Sequence, residues 1–292
     1  MRRASTCSAP FSRAWPTSAA DIARLDAELV RRGLARSRGQ ARDLVESGVV
    51  RVAGRVARKP SQAVAADSDV QVSLDEPQWV GRAAHKLVAA LDSWMPRGLL
   101  VHGRRCIDVG ASTGGFTQVL LAHGAGRVLA VDVGQGQLAP GLRSHPRVED
   151  LSGTTVRGLT AADVGGPGDL VVVDLSFISL TLVLPELAGL TAPEGDVIAL
   201  VKPQFEVGRG RLPGSGVVTE VGDRAAAVLR VVAAAHDAGL YPRGLLASPL
   251  RGTAGNAEYL LWARPDPSDT MSLDQVRASV RAITADESPG GR

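Results

Sequence analysis

Apolar positions along the chain follow two periodic regimes with a polar stretch between them. In "DIARLDAELVRRGLARSRGQARDLVESGVVRVAGR", Ile22, Leu25, Leu29 and Val30 recur at helical spacing, and Gly33 stands where that helix would end. Ser37 is placed to cap a second helix carrying Ala41, Leu44 and Val45, with Gly48 closing it. The pattern then turns to alternation. "VVRVAGRVA" predicts two short strands about an Ala-Gly turn, and "DVQVS" predicts another. Residues 21–74 thus read as a small α+β unit, and residues 75–82 as a linker, in which Trp79 is expected to pack between domains.

Beyond the linker, strand and helix patterns alternate. "RCIDVG", "GRVLAVDVG", "DLVVVDLS" and "DVIALVKP" read as strands, with "GGFTQVLLAHG" and "LTLVLPELAGL" as helices between them. Uninterrupted apolar strands separated by helices predict a parallel sheet covered on both faces, an α/β domain spanning residues 83–270. In the segment 271–292, "SLDQVRASVRAITADE" predicts an amphipathic terminal helix, and the acid-free residues 1–20 predict a disordered tail.

Charge sharpens the division. Residues 1–60 hold twelve Arg and one Lys against five acids, a balance of +8, and the remainder carries −5. A basic front on a mildly acidic body is expected to meet a polyanion, with Arg31, Arg32, Arg36, Arg38 and Arg42 placed to contact phosphates. Two cysteines and five scattered histidines predict neither a disulfide framework nor a metal site, and fit a reducing cytoplasm. The most apolar stretch, Leu170 to Leu190, is interrupted by Asp174, Pro185 and Glu186, so no membrane span is expected.

Ligands of parallel sheets bind beyond the strands' carboxyl ends. The first strand of the body ends in "DVGASTGGFT", where Gly110, Gly114 and Gly115 permit close approach to a ligand. Thr113 is placed to cap the following helix, and Asp132, ending the next strand, to accept from a ribose diol. The G-x-x-x-G-G spacing departs from the dinucleotide fingerprint and favours S-adenosylmethionine over a nicotinamide cofactor.

Asp174 and Lys202 each close a predicted strand at that same edge. The chain has 33 Lys plus Arg, but only Lys59, Lys86 and Lys202 are lysine. A lysine amine can be deprotonated inside a protein and accept a proton, whereas a guanidinium stays charged. That difference marks Lys202 for proton chemistry, and Lys86 as its companion.

Two resemblances carry these readings further. "RLDAELVRRGLARSRGQARDLVESGVVRVAGR" followed by "DSDVQV" resembles an S4 RNA-binding domain, which implies docking on structured RNA. "GRAAHKL", "DVGASTGGFT", "AVDVGQGQL", "DLSFISL", "VKPQFEVGRG" and "SPLRGTAGNAEYL", in that order, resemble the TlyA family. Its members join an S4 domain to an FtsJ-like, Rossmann-like domain dependent on S-adenosylmethionine. The resemblance implies methylation of a cytidine 2′-hydroxyl in ribosomal RNA within ribosomal subunits, by a cytoplasmic and monomeric protein. It places the family's catalytic tetrad on Lys86, Asp174, Lys202 and Glu258. It also implies contacts to the cofactor from Asp108, Gly110, Ser112, Thr113, Gly114, Gly115 and Asp132. Glu258 enters by resemblance alone; by residue type it reads as an exposed acid.

The chain departs from the usual family text at Ala83, Ala84, Gln135 and Thr155, the last where asparagine is expected near the adenine. Two other readings compete: a non-catalytic RNA-binding assembly factor, and the haemolysin role often attached to the family.

Overall fold

The computed structural model describes residues 22–46, 48–72, 79–208 and 210–285. The predicted N-terminal tail, the first half of the predicted linker and the last seven residues lie outside these. Compact packing divides the chain into units meeting between residues 76 and 77.

In the first unit, β1 (Ile22–Arg24) leads into α1 (Leu25–Arg31) and α2 (Arg38–Glu46), followed by β2 (Val50–Val52), β3 (Arg55–Val56), β4 (Ala63–Ala65) and β5 (Val70–Val72). Strands β3, β2 and β5 form one small sheet, and β1 pairs with β4. Ser37 caps α2 as expected, accepting from the Gln40 backbone N–H at 3.2 Å. Leu25, Leu29, Ala41, Leu44 and Val45 close the core against Val50, Val64 and Val70. Ile22 is not on the α1 face. It lies in β1, largely exposed, because the chain pairs with Ala65 there before turning into the helix.

The second unit runs α3 (Ala84–Trp94), β6 (Arg105–Val109), α4 (Gly115–Ala122), β7 (Arg127–Asp132), α5 (Pro140–Arg143), β8 (Val148–Ser152), β9 (Gly168–Val173), α6 (Leu184–Leu190), β10 (Thr191–Val201), α7 (Pro203–Glu206), α8 (Val221–Asp237), β11 (Tyr241–Ala247), β12 (Tyr259–Arg264) and α9 (Leu273–Ala285). The seven-stranded sheet has the order β11-β12-β10-β9-β6-β7-β8, and β12 runs antiparallel to both neighbours. The strands alternate their side chains between two cores, as the two-residue period requires. Ile107, Val109, Val171, Val173 and Val201 face α6, α8 and α9, while Cys106, Leu170, Val172, Ile198 and Leu200 face α3 and α4. Trp79 belongs to this second core, and the next residue's N–H bonds Gln118 Oε1 at 2.7 Å.

Among the described residues, no helix is long and apolar enough to cross a membrane.

Candidate active site

Strand order reverses between β6 and β9, and the site sits over that junction. Gly110 turns the chain out of β6 with φ +87°, and a Cβ there would lie 2.4 Å from the Asp174 carbonyl oxygen. Only glycine lets the β6 and β9 ends come this close. Gly114, at φ +97°, is the N-cap of α4, and a Cβ would meet Leu142 Cδ1 at 2.3 Å. Thr113 therefore does not cap α4. The cap falls one residue later, and Thr113 lines the cavity instead.

Two cavities open at this edge. One, of about 630 Å³, is lined by Lys86, Ser112, Thr113, Gly115, Asp174, Lys202 and Glu258 among others. The other, of about 450 Å³, takes in Val131, Asp132, Val133, Thr155 and Ile178. Gly110, Ser112, Asp174, Ser176 and Phe177 line both, so the two spaces share a wall.

Four charged side chains line up in the first cavity. Lys86 Nζ lies 2.5 Å from Glu258 Oε2 and 4.0 Å from Asp174 Oδ2, and Lys202 Nζ lies 2.6 Å from Asp174 Oδ1. Lys202 also donates to Ser176 Oγ at 2.9 Å. The side chain of Glu258 is only 3% exposed and that of Lys86 only 6%. Charges this buried persist only when paired. Here acid and base alternate, Glu–Lys–Asp–Lys, and compensate one another. Each side chain arrives from a different element: Lys86 from the first turn of α3, Asp174 and Lys202 from the ends of β9 and β10, and Glu258 from just before β12.

The predicted cofactor residues divide. Asp132 Oδ2 accepts from Ser112 N at 2.8 Å and Oδ1 from Gly134 N at 2.7 Å, and each oxygen keeps a lone pair for a ligand hydroxyl. Ser112 is held at φ +48°, and its hydroxyl donates to Gln137. Gly110, Ser112, Thr113, Gly115 and Asp132 line the cavities; Asp108 and Gly114 are not among the lining residues of either. Asp108 is fully buried beneath the loop, where Thr117 Oγ1 donates to it at 2.6 Å and its Oδ1 has no partner. Burial, helped by the nearby Asp174 and Asp132 carboxylates and opposed by the Thr117 bond, pushes its carboxyl up to about 7. Asp108 thus ties the end of β6 to α4.

Ser176, Phe177 and Gln204 escaped sequence reasoning as site residues. Ser176 sits two residues past a strand-ending acid, a signal available but shared with many solvent-facing serines. Phe177 lines both cavities while 93% exposed, with its backbone at φ +66°.

The FtsJ-like methyltransferase family matches residues 79–265, and the S4 domain matches residues 23–70. The chain is 52% identical over 90% of its length to the 16S/23S rRNA (cytidine-2′-O)-methyltransferase TlyA of Mycobacterium tuberculosis, covering 97% of that protein. This chain belongs to the TlyA family. Another relative of this TlyA-family chain, Hemolysin A of Brachyspira hyodysenteriae, is 32% identical to it over 81% of this chain and 98% of its own. A solved Streptococcus thermophilus chain, provisionally described as a hemolysin, superposes with a TM-score of 0.68 at 35% identity, covering 92% of this TlyA-family chain and 98% of its own.

The first unit's predicted phosphate contacts also divide. Arg31 and Arg32 both bind the buried Glu28, and Arg32 further donates to the Ser68 and Ala66 carbonyls, so it staples α1 to the turn after β4. Arg36, Arg38 and Arg42 are exposed along α2 and its approach.

Proposed function

We propose that this chain methylates the ribose 2′-hydroxyl of a cytidine in ribosomal RNA. The observation that carries the reading is the alternating Glu258–Lys86–Asp174–Lys202 array at the carboxyl edge of the sheet, in a chain 52% identical to an rRNA (cytidine-2′-O)-methyltransferase.

S-adenosylmethionine fits the paired cavities. The glycine turn supplies a backbone-lined wall, and Asp132 supplies the carboxylate a ribose diol requires. Gly110, Ser112, Thr113 and Gly115 would hold its amino-acid end, with Val133 and Thr155 beside its base. When bound, it supplies an electrophilic methyl group.

Lys202 is assigned the proton of the 2′-hydroxyl. Its Nζ uses two directions on Asp174 and Ser176, which leaves a third for the cavity it lines. An amine held at two points offers its remaining position in a defined direction, as proton transfer from an attacking oxygen demands. Asp174 aims Lys202, and Lys86 with Glu258 fixes Asp174 from the other side. Arg36, Arg38 and Arg42 are assigned to RNA phosphates, with Arg31 beside them. Arg32 is spent on the fold.

The test is incorporation of tritiated methyl from S-adenosylmethionine into ribosomal subunits. Wild type should label RNA at a cytidine 2′-oxygen. Lys202→Ala and Lys202→Arg should each lose activity by ~10²-fold or more, since general-base catalysis contributes about that much. Full activity in the arginine variant, which keeps the charge, would remove Lys202 from proton transfer.

A further inference from the structure

The two strand ends that carry the Lys202–Asp174 ion pair share a second joint. Glu206 closes the short helix α7, one turn after Lys202, and is 3% exposed. Its Oε1 accepts from the Leu180 backbone N–H at 2.8 Å and its Oε2 from the Ser179 hydroxyl at 2.5 Å. Ser179 and Leu180 stand at the far end of the segment that begins with Asp174 and contains Ser176. Arg230 of α8 donates to the Glu206 backbone carbonyl, tying the turn to a third element. Glu206 is not among the residues lining the catalytic cavity.

The segment between Asp174 and Ser179 has reason to need such a hold. Phe177 places a non-glycine residue at φ +66°, a conformation that persists only where the surroundings impose it. On its near side the segment is anchored by the Asp174 N–H to the Val109 carbonyl at 3.0 Å. Glu206 supplies the far anchor. A carboxylate buried this deeply with hydrogen bonds on both oxygens is costly to place, and nothing in substrate contact explains it.

We propose that Glu206 is a positioning residue, locking the segment that bears Asp174 and Ser176 onto the turn that bears Lys202. The proposal rests on the methyl-transfer reading above. Glu206 acts through Lys202: the two oxygens that aim the amine, Asp174 Oδ1 and Ser176 Oγ, keep their distance from it only while both strand-end turns are held together. Burial raises the Glu206 carboxyl above its ordinary range against the Ser179 and Leu180 bonds. An amide suits the same place, with its oxygen accepting from Leu180 and its nitrogen donating to Ser179.

The experiment measures kcat and KM on ribosomal subunits together with the Kd for S-adenosylmethionine by calorimetry. Glu206→Ala is expected to lower kcat roughly ten- to a hundred-fold, the scale of a small misplacement of a reacting group, with Kd and KM nearly unchanged. Glu206→Gln should recover most of the lost kcat. An alanine variant with wild-type kcat would overturn the proposal. So would one in which kcat, KM and Kd worsen together while glutamine rescues none of them, since that is a general structural defect. If the alanine variant fails to fold, Ser179→Ala breaks the same joint from the other side. It should lower kcat several-fold at constant Kd, and wild-type kcat there would equally sink the idea. An inactive wild type would instead remove the underlying methyl-transfer reading, a result distinct from an active wild type indifferent to Glu206.

Discussion

Asp108 and Asp174 lie close together at the ends of adjacent strands, yet burial divides their fates. Asp174 meets two lysines, while Asp108 meets one threonine and leaves an oxygen unpartnered. With its carboxyl raised to about 7, Asp108 binds its proton more tightly in the folded protein than in the unfolded chain. The folded state therefore holds more protons between the unfolded pKa near 4 and about 7, so this group's contribution to stability is full below that window and lost as pH rises through it. Asp108→Asn keeps an acceptor for Thr117 without the charge. Its Tm relative to wild type should therefore improve as pH rises from 5 to 8, by on the order of a few degrees in a unit of this size. Thermal melts across that range check it, and a pH-independent difference would contradict the shift. At this scale the scarcity of lysine among so many arginines is enough to single out Lys86 and Lys202. Glu258 is invisible to residue type because its burial depends on Lys86, 172 positions away.

Among the elements, β12 decides most about the site. An antiparallel strand begins where its parallel neighbours end, so the residue before Tyr259 arrives at the same edge as Lys202, with Val201 and Tyr259 in register. The apolar runs of β6, β7, β9 and β10 were legible because parallel strands buried on both faces are continuously hydrophobic. The direction and insertion of β12 were not, since strand order is written in long-range pairing. Two-stranded β1–β4 was likewise missed: three-residue strands lack the length for a periodic signal. The cap of α4 gives an element-scale test. Gly114→Ala must adopt φ +97° and displace Leu138 and Leu142, so it should cost roughly 1–3 kcal/mol of stability. It should also weaken S-adenosylmethionine binding, because Ser112 and Thr113 hang from the same turn. Denaturant melts and calorimetry read the two effects separately, and an alanine variant matching wild type in both would show that the turn tolerates a side chain.

At the scale of the whole molecule, charge and chemistry occupy different units. The basic front carries Arg36, Arg38 and Arg42 on one helix and its approach, and the second unit carries the titratable array. Replacing these three arginines with alanine in the full chain should weaken binding to ribosomal subunits and flatten its salt dependence. The slope of log K against log salt should fall by about 2 to 3, with the Kd for S-adenosylmethionine unchanged. Filter binding across a salt series measures this, and an unaltered slope would move the phosphate contacts elsewhere. Arg32 belongs in a different experiment, since its bonds to Glu28, Ala66 and Ser68 make its loss a matter of folding.

Local chemistry let the sequence by itself determine a great deal. Periodicity predicted the two-part plan, glycine and aspartate at strand ends pointed to the edge where the cavities open, and scarce lysines beside abundant arginines picked out two members of the buried charged array. Each of those signals is carried by neighbours within a few residues or by simple composition. Tertiary structure decided what depends on distant partners: that Glu258 is buried and paired, that Asp108 lies beneath the loop, that Arg32 turns inward, and that Glu206 joins two strand ends. Whether a charged side chain meets water or an opposite charge is settled by what the fold brings to its tip. No spacing along the chain encodes that.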